Sequence, residues 1–181
     1  MESLANLPIQ LFETASDWEK WLAEHYMETA GLWLKIAKKA SGKASVSYAE
    51  ALDSALCYGW IDGQKQSYDE QYFLQKFTPR RPKSIWSKVN VDKIAALSAA
   101  GRMQASGIAA VEAAKQDGRW DQAYDSHSTS TMPDDFQKAL DQNPSAQTFF
   151  ASLNKTQRYS FLWRIQTART PEARLTPRAP R

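Results

Sequence analysis

Residues 55–90 read ALCYGWIDGQKQSYDEQYFLQKFTPRRPKSIWSKVN, and the places where this run breaks decide the fold. Gly59 is placed to end a helix, because glycine takes the left-handed closing conformation without steric cost. Trp60–Gln66 and Gln71–Thr78 then read as two strands joined at Ser67-Tyr68-Asp69-Glu70, a β-hairpin. On the second strand Phe73 and Phe77 share one face, and Tyr72, Leu74 and Lys76 the other, following the two-residue period of a strand. Pro79 and Pro82 lack a backbone N–H and fix φ, so regular structure stops there. Residues Pro79 to Lys88 form a loop shaped by its prolines.

Working outward, Ser47-Tyr48-Ala49-Glu50 has the spacing of a capping box. Tyr48, Ala51, Leu52, Ala55 and Leu56 recur at helical intervals, which predicts a helix from Ser47 to about Tyr58. The same box at Ser16-Asp17-Trp18-Glu19 predicts an earlier helix beginning at Ser16. Its apolar stripe is Trp18, Trp21, Leu22, His25 and Tyr26. After Gly31, the alternation of Leu32, Leu34 and Ile36 with Trp33, Lys35 and Ala37 predicts a strand, and Lys38–Lys43 a basic turn. Beyond the loop the chain reads as helical. Asn90 is the expected cap of a helix through Ala100, closed by Gly101, and Gln104 or Ser106 opens another that ends at Gly118. Arg119 to Met132, with its SHSTST run, reads as a polar linker. Pro133-Asp134-Asp135 starts a helix with acids where the helix dipole favours them. Pro144 separates that helix from the next, Asn154 caps the one after, and the last starts at Thr170-Pro171-Glu172. The expected fold is α+β, with a small, largely antiparallel sheet packed by helices and a C-terminal helical region. Residues 1–90 would be the α+β core, 91–175 the helical region and 176–181 a flexible tail.

A chain of 181 residues can bury a sizeable core, and 43% apolar with 24% charged residues is ordinary for a soluble protein. The net charge is only +3, but it is unevenly spread. Six basic residues face one acid between Lys76 and Lys93, and seven face one between Lys155 and Arg181. That asymmetry predicts an electrostatic face rather than a dedicated nucleic-acid binder, and no nucleic-acid motif is present. One cysteine, Cys57, excludes an internal disulfide and a cysteine metal framework. At the end of its helix it is placed against thiolate formation, and it reads as a small buried hydrophobe. His25 and His127 are isolated, so no metal and no cofactor are expected. The N-terminus MESLANLPIQLFETASDW lacks the pattern of an export signal, and no stretch nears the ~18 apolar residues of a membrane span. A cytoplasmic protein is expected.

The loop carries the sharpest site hypothesis. Arg80, Arg81, Lys83 and Lys88 lie beside Trp86 and Ser87. Arginine grips a carboxylate or phosphate with two parallel hydrogen bonds, and Trp86 can stack on a ring. The bland alternative is a solvated loop whose arginines pair with acids and whose tryptophan packs in the core. Trp60, Asp62 and Gln64 follow one another at strand spacing. Asp62 is either a general acid or base, if desolvated, or the partner of a nearby arginine.

EALDSALCYGWIDGQ, YFLQKFTPRRPKSIWSKVN, AGRM, GRW and SFLWRIQTARTPEARL resemble the YdeI/OmpD-associated, or bacteriocin-protection, family of bacterial proteins. The resemblance runs from about Leu32 to Leu175. It implies an association with an outer-membrane porin and with protection against antimicrobial peptides, and brings no catalytic set. The function expected from these readings together is a non-enzymatic binding module for a small anionic ligand or an acidic peptide. Its pocket would be built by the hairpin, the PRRPKSIW loop, Trp33 and Lys35. One alternative is an enzyme using Asp62 as acid or base, with Arg80 and Lys83 stabilising negative charge. Another is an interaction module whose basic segment 176–181 binds a protein partner, or a weak nucleic-acid binder.

Overall fold

The computed structural model describes residues 7–28, 30–168, 170 and 174. The chain divides into two compact units, residues 1–84 with 92–117, and residues 85–91 with 118–181.

The first unit holds a four-stranded sheet in the order β1 (Ile9–Gln10), β2 (Leu32–Ala37), β4 (Tyr72–Pro79), β3 (Trp60–Ser67). β3 and β4 form the expected hairpin, and β4 pairs antiparallel with β2. β1 joins β2 in parallel, so the sheet is mixed, not purely antiparallel. The chain is α+β as expected. The two residues of β1 had no alternation long enough to announce a strand; pairing with Trp33 and Leu34 makes them one.

Two helices cover one face of the sheet. α1 (Ala15–His25) begins one residue before Ser16, because Thr14 takes the cap, its hydroxyl accepting from the Asp17 N–H at 3.2 Å. α2 (Tyr48–Cys57) carries the full capping box of Ser47 and Glu50, and Gly59 follows it at φ 77°. Trp18 of α1 is wholly buried. Its ring meets Phe77 of β4 at 5.7 Å and Trp60 of β3 at 6.3 Å, and its indole N–H donates to the Ala51 carbonyl of α2 at 3.0 Å. One side chain thus ties both helices to the hairpin. α4 (Ala105–Gln116) crosses α2 so closely that Gly107 lies against the Cys57 carbonyl.

α3 (Lys88–Ala99) starts two residues before its expected cap, Asn90. Ser87 does the capping: its hydroxyl accepts from the Asn90 N–H at 3.2 Å. The unit boundary falls inside this helix.

The second unit contains α5 (Asp134–Asp141), α6 (Pro144–Ser152) and α7 (Lys155–Gln166). Pro144 opens α6 behind an Asn143 cap, and Asn154 with Gln157 forms a capping box on α7. Leu140, Phe150 and Leu162, one from each helix, make its core with Met132, Phe136 and Phe161. The 119–132 stretch is less open than a linker. Tyr124 forms a bridge with Ser87, and Trp120 sits edge-on to Trp86 at 5.0 Å. The expected last helix from Thr170-Pro171-Glu172 and the tail 176–181 lie outside the described residues, save Thr170 and Arg174.

Candidate functional site

Strand register builds the floor of a groove in the first unit. Ile36 pairs with Phe73, and Phe73 pairs with Ser67, so the three form one rung across β2, β4 and β3 on a single face. That face is the one Trp18 covers further along, at Phe77. At this rung the N-terminus of α2 leaves the face uncovered, and a groove of about 730 Å³ opens there. Ile36, Ala37 and Phe73 line it with apolar surface, and Ser47, Ser67 and Tyr48 add hydroxyls. Lys38, Lys39 and Lys65 also line it, and none of the lining residues is acidic.

An irregularity in β3 aims Lys65. Asp62 lies opposite Phe77 but Lys65 opposite Gln75, so three steps along β3 match two along β4. This is a β-bulge, and it changes which side chains share a face. Without it the two-residue period would put Gln64 and Gln66 beside Asp62; with it Lys65 and Ser67 take that side. The bulge is held by Gln75, only 4% exposed, whose amide donates to the carbonyls of Gly63 at 2.9 Å and Gln64 at 3.3 Å.

The other groups are also fixed. Lys65 Nζ lies 4.1 Å from the centroid of the Phe73 ring, a favourable cation–π placement. Lys38 Nζ donates to the Asp69 carbonyl at 2.7 Å, and Lys39 stands exposed on a short 3-10 turn, Lys39–Ser41. The Ser47 hydroxyl accepts from the Glu50 N–H, and the Ser47 N–H donates to the Glu50 carboxylate. The Ser47 side chain first, and then its backbone N–H, hydrogen-bond the Glu50 carboxylate and hold it below its ordinary value.

Tyr48 links the groove to Asp62, donating its hydroxyl to Asp62 Oδ2 at 2.7 Å. Burial first, then the hydrogen bond and charge of Asp62, push the phenol above its ordinary value of 10. The folded state therefore keeps this proton after the unfolded chain loses it. Its stabilising contribution is complete below pH ~10 and is lost as pH rises further. Tyr48→Phe should flatten the fall of stability above pH 10 in urea titrations. An unchanged slope would mean that Tyr48 titrates as an ordinary phenol.

The residues singled out in the sequence fall in both units and have different surroundings. Trp60 is buried in the core with its N–H on the Tyr26 carbonyl at 3.1 Å. Asp62 is half-buried and touches the groove through Tyr48. Arg80 is half-buried, its backbone N–H bound to the Gly59 carbonyl at 3.0 Å, while Arg81 and Lys83 are exposed. Those three belong to the first unit. Trp86, Ser87 and Lys88 belong to the second, where Trp86 is buried, Ser87 caps α3 and Lys88 pairs with Asp125 at 2.7 Å. Trp33 is buried, and Lys35 lies over the rings of Tyr68 and Tyr72, at 4.6 and 4.2 Å. The Lys38–Lys43 turn was visible in the sequence as basic, and that was the available sign of the groove. Lys65 and Ser67 carried none, because their side depends on the bulge.

Cys57 is buried and burial pushes its thiol up, in keeping with a packing role. Among the described residues, no cluster of His, Cys, Asp or Glu could hold a metal ion, and no helix is long and apolar enough to cross a membrane.

Comparison with known proteins gives two family matches. Residues 10–110, more than half of the chain, match the family described as Domain of unknown function (DUF8412). Residues 129–176 match the family described as Bacteriocin-protection, YdeI or OmpD-Associated. The resemblance read across Leu32–Leu175 is therefore matched in the C-terminal segment, while the FTPRR run falls within the other family. No curated protein and no solved structure matches the chain.

Proposed function

We propose a binding role for this chain, which belongs to the family described as Domain of unknown function (DUF8412): the groove beside α2 holds a small anionic ligand and does no chemistry on it. The observation that carries this is three lysines around an apolar floor with no acid in the lining. A groove of about 730 Å³ falls in the usual range of small-molecule sites, roughly 300–1,000 Å³. The hydroxyl of Ser67 supplies a further donor for an anion. Protection against antimicrobial peptides belongs to the same proposal, supported by the description of the family matched over 129–176.

Titration calorimetry of the whole chain against a panel of small anions tests the reading. Lys38→Ala, Lys39→Ala and Lys65→Ala combined should weaken the best binder by roughly thirtyfold or more, since charged hydrogen bonds dominate such contacts. Arg80→Ala with Arg81→Ala is the second arm and should leave that affinity within about twofold. If the arginine variant loses binding and the lysine variant keeps it, the loop is the site and the groove is not.

A further inference from the structure

We propose that the ligand of this groove is an apolar monocarboxylate whose acid group meets Lys65, and that Gln75 is the residue that positions that lysine. The proposal rests on the groove being an anion site and adds the ligand class and its determinant.

The lining argues against a phosphate. Phosphate sites commonly use clustered backbone N–H groups at a helix start. Here Ser47 and Glu50 already engage the first turn of α2. The cations are lysines, which act as separate point charges. The remaining surface is the Ile36–Phe73 rung and the Tyr48 ring, which suits a hydrocarbon body. Lys65 differs from the other two lysines in being held over the Phe73 ring at 4.1 Å. Its ammonium therefore sits where apolar floor and charge meet, and there a carboxylate can pair while its hydrocarbon part covers the floor.

Lys65 reaches that place only through the bulge. Gln75 is buried beneath it and binds two of its carbonyls. Shortening or removing the amide leaves those carbonyls without their donor and releases the backbone that fixes the lysine.

Affinities of 2-naphthoate, 2-naphthamide, acetate and inorganic phosphate for the full chain, measured by ligand-observed NMR, test the ligand class. Naphthoate should bind at least about tenfold tighter than each of the others. If phosphate or acetate equals naphthoate, the ligand class is wrong although the anion site stands. If naphthamide equals naphthoate, charge is irrelevant and both proposals fall. Lys65→Gln should weaken naphthoate at least about tenfold. Gln75→Met should do the same, and the double variant should be no weaker than the weaker single one, because both act through one contact. Gln75→Asn, whose shorter amide keeps the polarity, serves as the second variant should Gln75→Met not fold. Wild-type affinity in a folded Gln75 variant, or full additivity with Lys65→Gln, would overturn the positioning role.

Discussion

Trp18→Ala is expected to remove about 3–5 kcal/mol of unfolding free energy, the cost of truncating a large buried aromatic side chain. Trp18 has no exposed surface. Its ring lies within 5.3 Å of Phe12, 5.4 Å of Trp21 and 5.7 Å of Phe77, centroid to centroid. Truncation would remove the ring contacts of α1 with Phe77 and Trp60, leaving Trp21 against Trp60, and would take the indole donor from the Ala51 carbonyl. Two losses therefore add, a cavity and one hydrogen bond. Trp18→Phe keeps most of the volume and should cost clearly less. Urea unfolding of both variants separates the two terms. A loss below about 1 kcal/mol for Trp18→Ala, far under the usual range, would show that the helices hold to the sheet by other contacts.

Gly107→Ala should destabilise by about 1–3 kcal/mol or more, the ordinary cost of overpacking, although alanine is normally the better helix former. In the interior of an exposed helix this exchange would gain about 1 kcal/mol. Here an added Cβ would stand 2.1 Å from the Cys57 carbonyl oxygen, 2.8 Å from its carbon and 2.9 Å from Met103 Cε. Two of these neighbours are backbone, so α2 and α4 must part for it to fit. Ala109→Gly, at an exposed position of the same helix, isolates propensity and should lose about 1 kcal/mol. The sign of the Gly107 result decides the matter: a gain in the urea midpoint would mean that the helices do not approach this closely.

Features encoded by neighbouring residues were legible in the sequence. The Ser47/Glu50 box, the hairpin ended by Pro79, the Pro144 break and the Asn154 cap all depend on residues within a few positions of one another. Start points were ambiguous where two patterns overlapped. Thr14-x-x-Asp17 competes with Ser16-x-x-Glu19, and Ser87 precedes Asn90, and in each case the earlier residue takes the cap. β1 escaped notice because a two-residue strand exists only through its partner.

The site was less legible for a related reason. Trp60 and Trp86 stand in an aromatic and basic run that suits ligand stacking, yet whether an indole faces solvent or core is settled by what packs on it. Both are buried. Lys65 looked like any exposed lysine of a hairpin. Its direction depends on a bulge, and the bulge depends on Gln75, a polar residue in a strand whose burial no local pattern announces.

That bulge also bears on how the protein behaves in a crowded solution. β3 is a border of the sheet, and a straight border offers its N–H and C=O groups as a template for another chain. A kink in mid-strand, with two carbonyls drawn inward by Gln75 and a lysine beside them, breaks that template. The other border, β1, is two residues long. Among the described residues, neither rim offers a long, regular ladder on which copies could zip together, so Gln75, in holding the bulge, also guards the molecule against fibrous self-association.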